Sequence, residues 1–395
     1  MKKVNDGQGV SRLNQIFLMP PKVLSGIGAI GQLKEHIGGK GTKALLVTDA
    51  MMVQIGNSQK VTTVLEEAGI DYCLYAEVNS EPTDEMVKKG VQLFSSEQCD
   101  FIIALGGGSP IDAAKAIGFM SVNGGEISSY LKKVITTPIP YLVAVPTTAG
   151  TGSEATQFTI ITDTQKDVKM LLRGPALMPQ LAVVDPAFSL TTPPKVTVAT
   201  GIDALTHAIE AYSSRQAQPL SDVFALSAVK RIYHNLKVVY KDGGNVEARY
   251  QMSLAALEAG IAFNNSSVTL VHGLSRPIGA LFHVPHGLSN AILLTKCLEF
   301  AVPGNTRRFA EIAKTINLCS PDAKAEEAAG RLIEAVADFC RDLGVPSVQE
   351  LKIDKEEFYK NLNKMAEDAL DSGSPANTFR IPTKEQIMEI YKQLW

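Results

Sequence analysis

The sequence predicts an α/β protein in two parts: a parallel-sheet domain over residues 1–192, then an all-helical domain over residues 193–395. Three observations carry this. The first half alternates short β-branched runs with helix-like segments, as strands joined by crossover helices do. After Thr192-Pro193-Pro194 the strand-like runs stop, and Ala, Leu and Glu recur at helical spacing. At 395 residues the chain exceeds one ordinary hydrophobic core.

KALLVTD (43–49), DYCLYAEV (71–78), DFIIALGGG (100–108) and YLVAVPTT (141–148) read as buried strands. SQKVTTVLEEAG and DEMVKKGVQLFSSE, lying between them, carry helical spacing. That order implies a parallel, doubly wound sheet. In the second half, Leu332, Val336, Phe339 and Leu343 share one helix face, which Gly344 and Pro346 terminate. There is no internal repeat, low-complexity stretch or long linker.

Lys and Arg number 38 against 41 Asp and Glu, and the signs are interspersed. This excludes a nucleic-acid surface and a polybasic membrane anchor. The opening MKKVNDGQGVSR lacks an apolar signal core, and no run of 18 apolar residues occurs, so a cytoplasmic enzyme is expected. The five cysteines form no CxxC and leave an odd count, which favours reduced thiols. A homodimer or higher homo-oligomer is the default assembly.

The most informative residues are Asp203, His207, His272 and His286. Asp203 and His207 stand four apart in GIDALTHAIE, where helical Cβ atoms are about 5 to 6 Å apart, near enough to share an ion. Any short Asp-x-x-x-His match also suits core or capping residues. Here three of six histidines take part, with small residues Gly201, Ala204, Gly273 and Gly287 leaving room beside them. His272 and His286 would lie roughly 21 Å apart on one continuous helix. The expectation is that Pro277, Gly279, Pro285 and Gly287 break it, so that His272 ends one element and His286 begins the next.

FIIALGGGSPIDAAKAIG is an apolar strand, a glycine turn and an Ala-rich helix expected to begin near Pro110. Glycines let backbone N–H groups approach a phosphate, and the helix N-terminus adds partial positive charge. Alone, the motif equally suits any tight strand-to-helix turn. Asp49 ends KALLVTD at the carboxyl edge of a strand, where it either accepts from ribose hydroxyls or caps a helix. The acidic residue precedes the glycine loop, so this is not the common dinucleotide fingerprint. PTTAGTGSE follows the strand YLVAV with small hydroxyl residues that read either as a turn or as a cofactor-lining loop.

Taken together, KALLVTD, GGGSPIDAAKAIG, PTTAGTGSEAT, ATGIDALTHAIEAY, VHGLSRPIGALFHVPHGLSNAILL and a C-terminal amphipathic helix ending in Trp395 resemble the iron-containing, group III alcohol dehydrogenase family. The resemblance spans nearly the whole chain. It implies the dehydroquinate-synthase-like superfold, with an NAD-binding α/β domain, a helical metal-binding domain and an active site in the cleft between them. It implies that Asp203, His207, His272 and His286 ligate the metal. Gly107, Gly108, Ser109 and Asp112 fall on the pyrophosphate side, Thr147, Thr148, Thr151 and Lys169 at cofactor-lining positions, and Asp49 at the adenosine ribose. Phe158 and Phe263 fall at substrate-pocket positions, which suggests a narrow apolar pocket for short primary alcohols.

Two positions depart from the family pattern. Arg276 stands where relatives carry a second His four residues after the third ligand, and Glu81-Pro82 replaces Asn-Pro. A guanidinium cannot relay the alcohol's proton. Arg276 is then either a structural residue paired with a carboxylate, slightly the commoner use of Arg, or a donor to a polar group on the substrate. His283 is the nearest other candidate for the proton.

The implied chemistry is metal-dependent hydride transfer between NAD(H) and a short-chain primary alcohol or aldehyde. A divalent ion serves as Lewis acid, with iron the family expectation and zinc or another divalent ion compatible with the ligands. The alternatives are a diol or lactaldehyde dehydrogenase of the same family, or a glycerol-dehydrogenase-like or dehydroquinate-synthase-like enzyme, which generally use three protein ligands. A nucleotide-binding assembly or sensor protein without turnover is the reading from another class, and an intact ligand set argues against it.

Overall fold

The computed structural model describes residues 15–395, so the polar opening segment read above for a signal core lies outside the described residues. Among the described residues there are eight strands: β1 Val23–Ser25, β2 Lys43–Val47, β3 Asp71–Tyr75, β4 Phe101–Gly106, β5 Tyr141–Pro146, β6 Phe158–Asp163, β7 Val168–Arg173 and β8 Leu181–Val184. Six form one sheet in the order β1-β8-β5-β4-β2-β3, every pair parallel. The four strands expected from the sequence form the β5-β4-β2-β3 run of this sheet.

Helices cover both faces, as a parallel sheet requires. Along β2, Ala44 and Leu46 pack with Val61 and Leu65 of helix Asn57–Glu67, while Leu45 and Val47 pack with Val87 and Ile111 on the other face. Buried on both sides, β4 is apolar throughout. β1, β6, β7 and β8 are additions to the expected set. β1 and β8 span 3 and 4 residues, too short for a periodic signal. β6 and β7 form an antiparallel hairpin beside the sheet.

From Pro194 the described residues form helices around a second core that includes Ile202, Ile232, Leu274 and Leu294. Pro194 at the first helical position needs no N–H there, and this starts helix Pro194–Ser213. The two parts meet closely. A Cβ on Gly152, in the loop after β5, would lie 2.6 Å from Cα of Gly260 in helix Val246–Ser266. Asn264 of the same helix accepts from the Gln157 amide at 2.9 Å.

The helix break differs from expectation. His272 lies in the first turn of helix Leu270–Phe282, and Pro277 and Gly279 sit inside that helix. Pro277 removes only its own N–H bond, and the surrounding packing carries the helix past it. The break falls at residues 283–285: His283 takes a left-handed conformation at φ 54°, and Pro285 precedes helix His286–Ala301. Reversal there, rather than at Pro277, brings His286 back to His272.

Candidate metal site and cofactor cradle

Helix Pro194–Ser213 carries Asp203 and His207 on its buried face, and a Cβ on Gly287 would collide with the Ala199 carbonyl of that helix. Only glycine lets helix His286–Ala301 approach so closely. As a result Asp203 Oδ1 lies 3.6 Å from His272 Nε2, 3.7 Å from His286 Nε2 and 4.0 Å from His207 Nδ1. The rings of His207 and His272 stack at 4.4 Å, and Phe263 stacks on the other side of His207 at 4.3 Å. Phe158 makes no ring contact with this cluster among the described residues.

Asp203, His207 and His272 are buried and offer ligand atoms within 4.8 Å of one another, close enough to hold a metal ion. His286 differs. Its side chain is 45% exposed, so it forms the open wall of the site. His207 Nδ1 is buried with no hydrogen-bond partner, an omission that a cation satisfies. Three imidazoles and one carboxylate form a donor set suited to a divalent transition metal. The residues fit the ion.

For two of the three histidines the electrostatics agree. Burial pushes His207 down to about 3, and partial loss of solvation with the charges of His272, Arg276 and Lys169 takes His286 to about 4, so both are neutral at pH 7, the form that ligates. Burial opposes ionisation of Asp203, but His207, His286 and His272 around it hold its carboxyl far below the usual range. Burial also acts to lower His272, and Glu210 with Asp203 outweighs it, holding this imidazole at about 9.

Two residues that the sequence reading passed over complete the centre. Glu210, buried three residues beyond His207, accepts from the Thr269 and Val271 amides and the Thr269 hydroxyl, and its Oε2 lies 2.6 Å from His272 Nδ1. That leaves Nε2 of His272 facing Asp203. Asn290 Nδ2 donates to Asp203 Oδ1 at 2.7 Å and lies 3.2 and 3.3 Å from Nε2 of His272 and of His286. The available signal was position: Glu210 and Asn290 each stand one helical turn beyond a ligand histidine.

Across the cleft, helix Gly108–Asn123 starts at the end of β4, two residues before the expected Pro110. Its N-cap, Gly107, supplies no side-chain hydrogen bond, so first-turn N–H groups stay available. A Cβ on Gly107 would lie 3.3 Å from Thr148 Oγ1, and one on Gly108 would lie 3.0 Å from Thr151 Cγ2. The glycine turn and the hydroxyl loop therefore form one cradle, with Ser109 partly exposed in the first turn and Thr147 buried behind it. Its open backbone fits a pyrophosphate.

Asp112 accepts from Ser153 Oγ at 2.5 Å and from the Ile160 amide at 2.9 Å, so its carboxylate braces the cradle from behind. Beside it, Lys115 is wholly buried and donates to the carbonyls of Ser153, Thr156 and Phe158 and to the Ser153 and Thr156 hydroxyls. Asp49 lies at the carboxyl end of β2 and caps helix Ala50–Gln54 through the Met52 amide at 2.9 Å. Lys169, on β7, pairs with Glu81 at 2.6 Å, which joins the hairpin to one of the two departures noted above. Arg276 is exposed and makes no hydrogen bond or ion pair with any described residue. His283 is exposed at the helix end, without a hydrogen bond to the cluster.

No helix among the described residues is long and apolar enough to cross a membrane. Residues 20–186 match the model described as iron-containing alcohol dehydrogenase, and residues 197–395 match that of the family's C-terminal region. The chain is 38% identical to an NAD-dependent methanol dehydrogenase of Bacillus methanolicus over 95% of this chain and 98% of that protein. It is 37% identical to a 1,3-propanediol dehydrogenase of Citrobacter freundii, over 93% and 94% of the two chains. A crystal structure of 1,3-propanediol oxidoreductase superimposes with a TM-score of 0.93 at 35% identity, covering 97% of this chain and all of that one. With both family regions matched across a sheet-and-helix fold that carries a buried Asp-His-His cluster, the chain belongs to the iron-containing alcohol dehydrogenase family, an oxidoreductase family.

Proposed function

We propose that this protein interconverts a short-chain primary alcohol and its aldehyde using NAD(H), with one divalent ion, iron by family, held by Asp203, His207, His272 and His286. The observation that carries the reading is the convergence of three histidine nitrogens within 4.0 Å of Asp203 Oδ1, beside an unpartnered His207 Nδ1. Residues 1–192 serve as the NAD-binding domain and residues 193–395 as the metal-binding domain. A cytoplasmic homodimer is the setting that fits a family of this kind.

When bound, the ion supplies Lewis acidity towards the substrate oxygen and the nicotinamide supplies the hydride chemistry. The protein's own residues supply placement. Glu210 fixes the His272 tautomer, and Asn290 fixes the Asp203 oxygen. Gly107, Gly108 and Ser109 present backbone donors to the pyrophosphate, Asp112 and Lys115 brace that loop, and Thr147, Thr148 and Thr151 line the cofactor. Asp49 faces the adenosine ribose, where its charge disfavours a 2′-phosphate. Phe263, stacked on His207, walls the substrate side with Phe158. With Arg276 in place of an imidazole, the substrate oxygen exchanges its proton with water or a ribose hydroxyl.

The test is NADH oxidation driven by a panel of short aldehydes, with and without added Fe(II) or Zn(II). Metal-dependent oxidation is expected. Absence of turnover with every aldehyde under both metals would overturn the reading. The 1,3-propanediol relatives favour a second reading, a diol dehydrogenase, which predicts higher efficiency for 3-hydroxypropanal than for propanal.

A further inference from the structure

We infer that the substrate of this site carries an anionic group, a carboxylate, sulfonate or phosphonate on a short chain, and that Arg276 receives it. The inference rests on the dehydrogenase reading above and narrows its substrate class.

Arg276 follows His272 by four residues, one turn along the same helix face, about 6 Å in rise from a metal ligand. Its side chain is exposed to solvent and so open to a ligand. Glu210 is the carboxylate that bears on it electrostatically, and Glu210 is already committed to Thr269, Val271 and His272. A permanent cation one turn beyond His272, with no counter-ion among the described residues, is available to an anionic ligand.

A second cation faces the same place. Arg276 from the helical part and Lys169 from β7 both bear on the His286 imidazole, so positive charge converges on the open wall of the metal site from both halves of the molecule. Lys169 is paired with Glu81, but both side chains are about half exposed, and such a pair exchanges readily for a substrate anion. The guanidinium fork matches the paired oxygens of a carboxylate, sulfonate or phosphonate, and charge-assisted bonds of this type orient as well as hold. Phe263 beside His207 then covers the short carbon spacer.

The reaction balances as for any aldehyde. The hydride of NADH forms the new C–H bond, the C=O π pair moves onto oxygen, and that oxygen takes a proton from water, leaving NAD and a hydroxy acid.

The test compares butanal with three aldehydes of matched spacer, 4-oxobutanoate, 3-sulfopropanal and 3-phosphonopropanal, on the Fe(II)-loaded enzyme. Expected is a kcat/KM preference of about tenfold or more for at least one anionic aldehyde over butanal. In Arg276→Met that ratio falls to near unity, whatever the absolute rate, and Arg276→Lys retains part of it. Calorimetry of 1-propanesulfonate and butanoate, which carry no aldehyde, gives a readout independent of turnover: binding to the parent NADH complex and loss in Arg276→Met are expected. Turnover of butanal without an anionic preference would overturn this inference and leave the dehydrogenase reading intact. If no aldehyde is reduced, that reading fails, and anion binding that persists unchanged in Arg276→Met would overturn the role of Arg276 as well.

Discussion

Glu210 Oε2 lies 2.6 Å from Nδ1 of His272, and the same carboxylate accepts from the backbone and side chain that begin the His272 helix. One buried acid therefore fixes both where the histidine sits and which of its nitrogens faces Asp203. Such partners of a ligating histidine commonly matter to affinity nearly as much as the ligand.

Changing Glu210 to Gln keeps the shape and removes the charge. Metal affinity is expected to fall by about 10- to 100-fold, with NADH affinity unchanged. Competition with a chelator of known affinity measures the first and fluorescence titration the second. Equal metal affinity in parent and variant would leave Glu210 a purely structural acid.

The observed cap and the proposed ribose-facing role of Asp49 separate by substitution. Asp49→Ser keeps a side-chain acceptor for the Met52 amide and removes the charge, whereas Asp49→Gly weakens the cap as well. Both variants are expected to gain activity with NADP, and only the Gly variant to lose stability, by a few tenths of a kcal/mol. Steady-state kinetics with both cofactors, alongside thermal melts, decides it. Unchanged cofactor preference in both variants confines Asp49 to capping.

Glu154 sits in the loop after β5, where burial raises its pKa to about 7 against the opposing effects of a backbone hydrogen bond and of Lys115. Its folded pKa exceeds the unfolded one, so the native state holds its proton more tightly. Stability is then greatest below the unfolded value, falls as pH rises towards 7, and levels above it. The fall is expected to be roughly 2 to 3 kcal/mol, and Glu154→Gln should remove it. Urea denaturation between pH 5 and pH 8, on parent and variant, is the check. A parent profile that Glu154→Gln leaves unaltered would contradict the assignment.

The central strands were readable because burial on both faces forces an unbroken apolar run, as in β4. β1 gave no such signal, since three residues hold no periodicity and its place is set by pairing with β8. At the site, Asp203 and His207 were legible as neighbours because helical spacing alone brings them together. His272 and His286 were legible as candidates, but the turn joining them was misplaced, because a left-handed His283 leaves no glycine signature. Asn290 was missed for a related reason: its amide acts through contacts with three ligands from three helices, which no single stretch of sequence displays. Arg276 stood out by type, and its lack of an ion-pair or hydrogen-bond partner among the described residues emerged only from the packed structure.

The most direct measurement is elemental analysis of the parent protein and of the His272→Ala and His286→Ala variants after Fe(II) loading and desalting, with NADH binding followed on the same samples. One equivalent of iron per parent chain is predicted, with none retained by either variant and NADH affinity largely intact in all three, because the glycine cradle lies in the other half of the molecule. Full iron occupancy in both variants would contradict a centre built from Asp203, His207, His272 and His286.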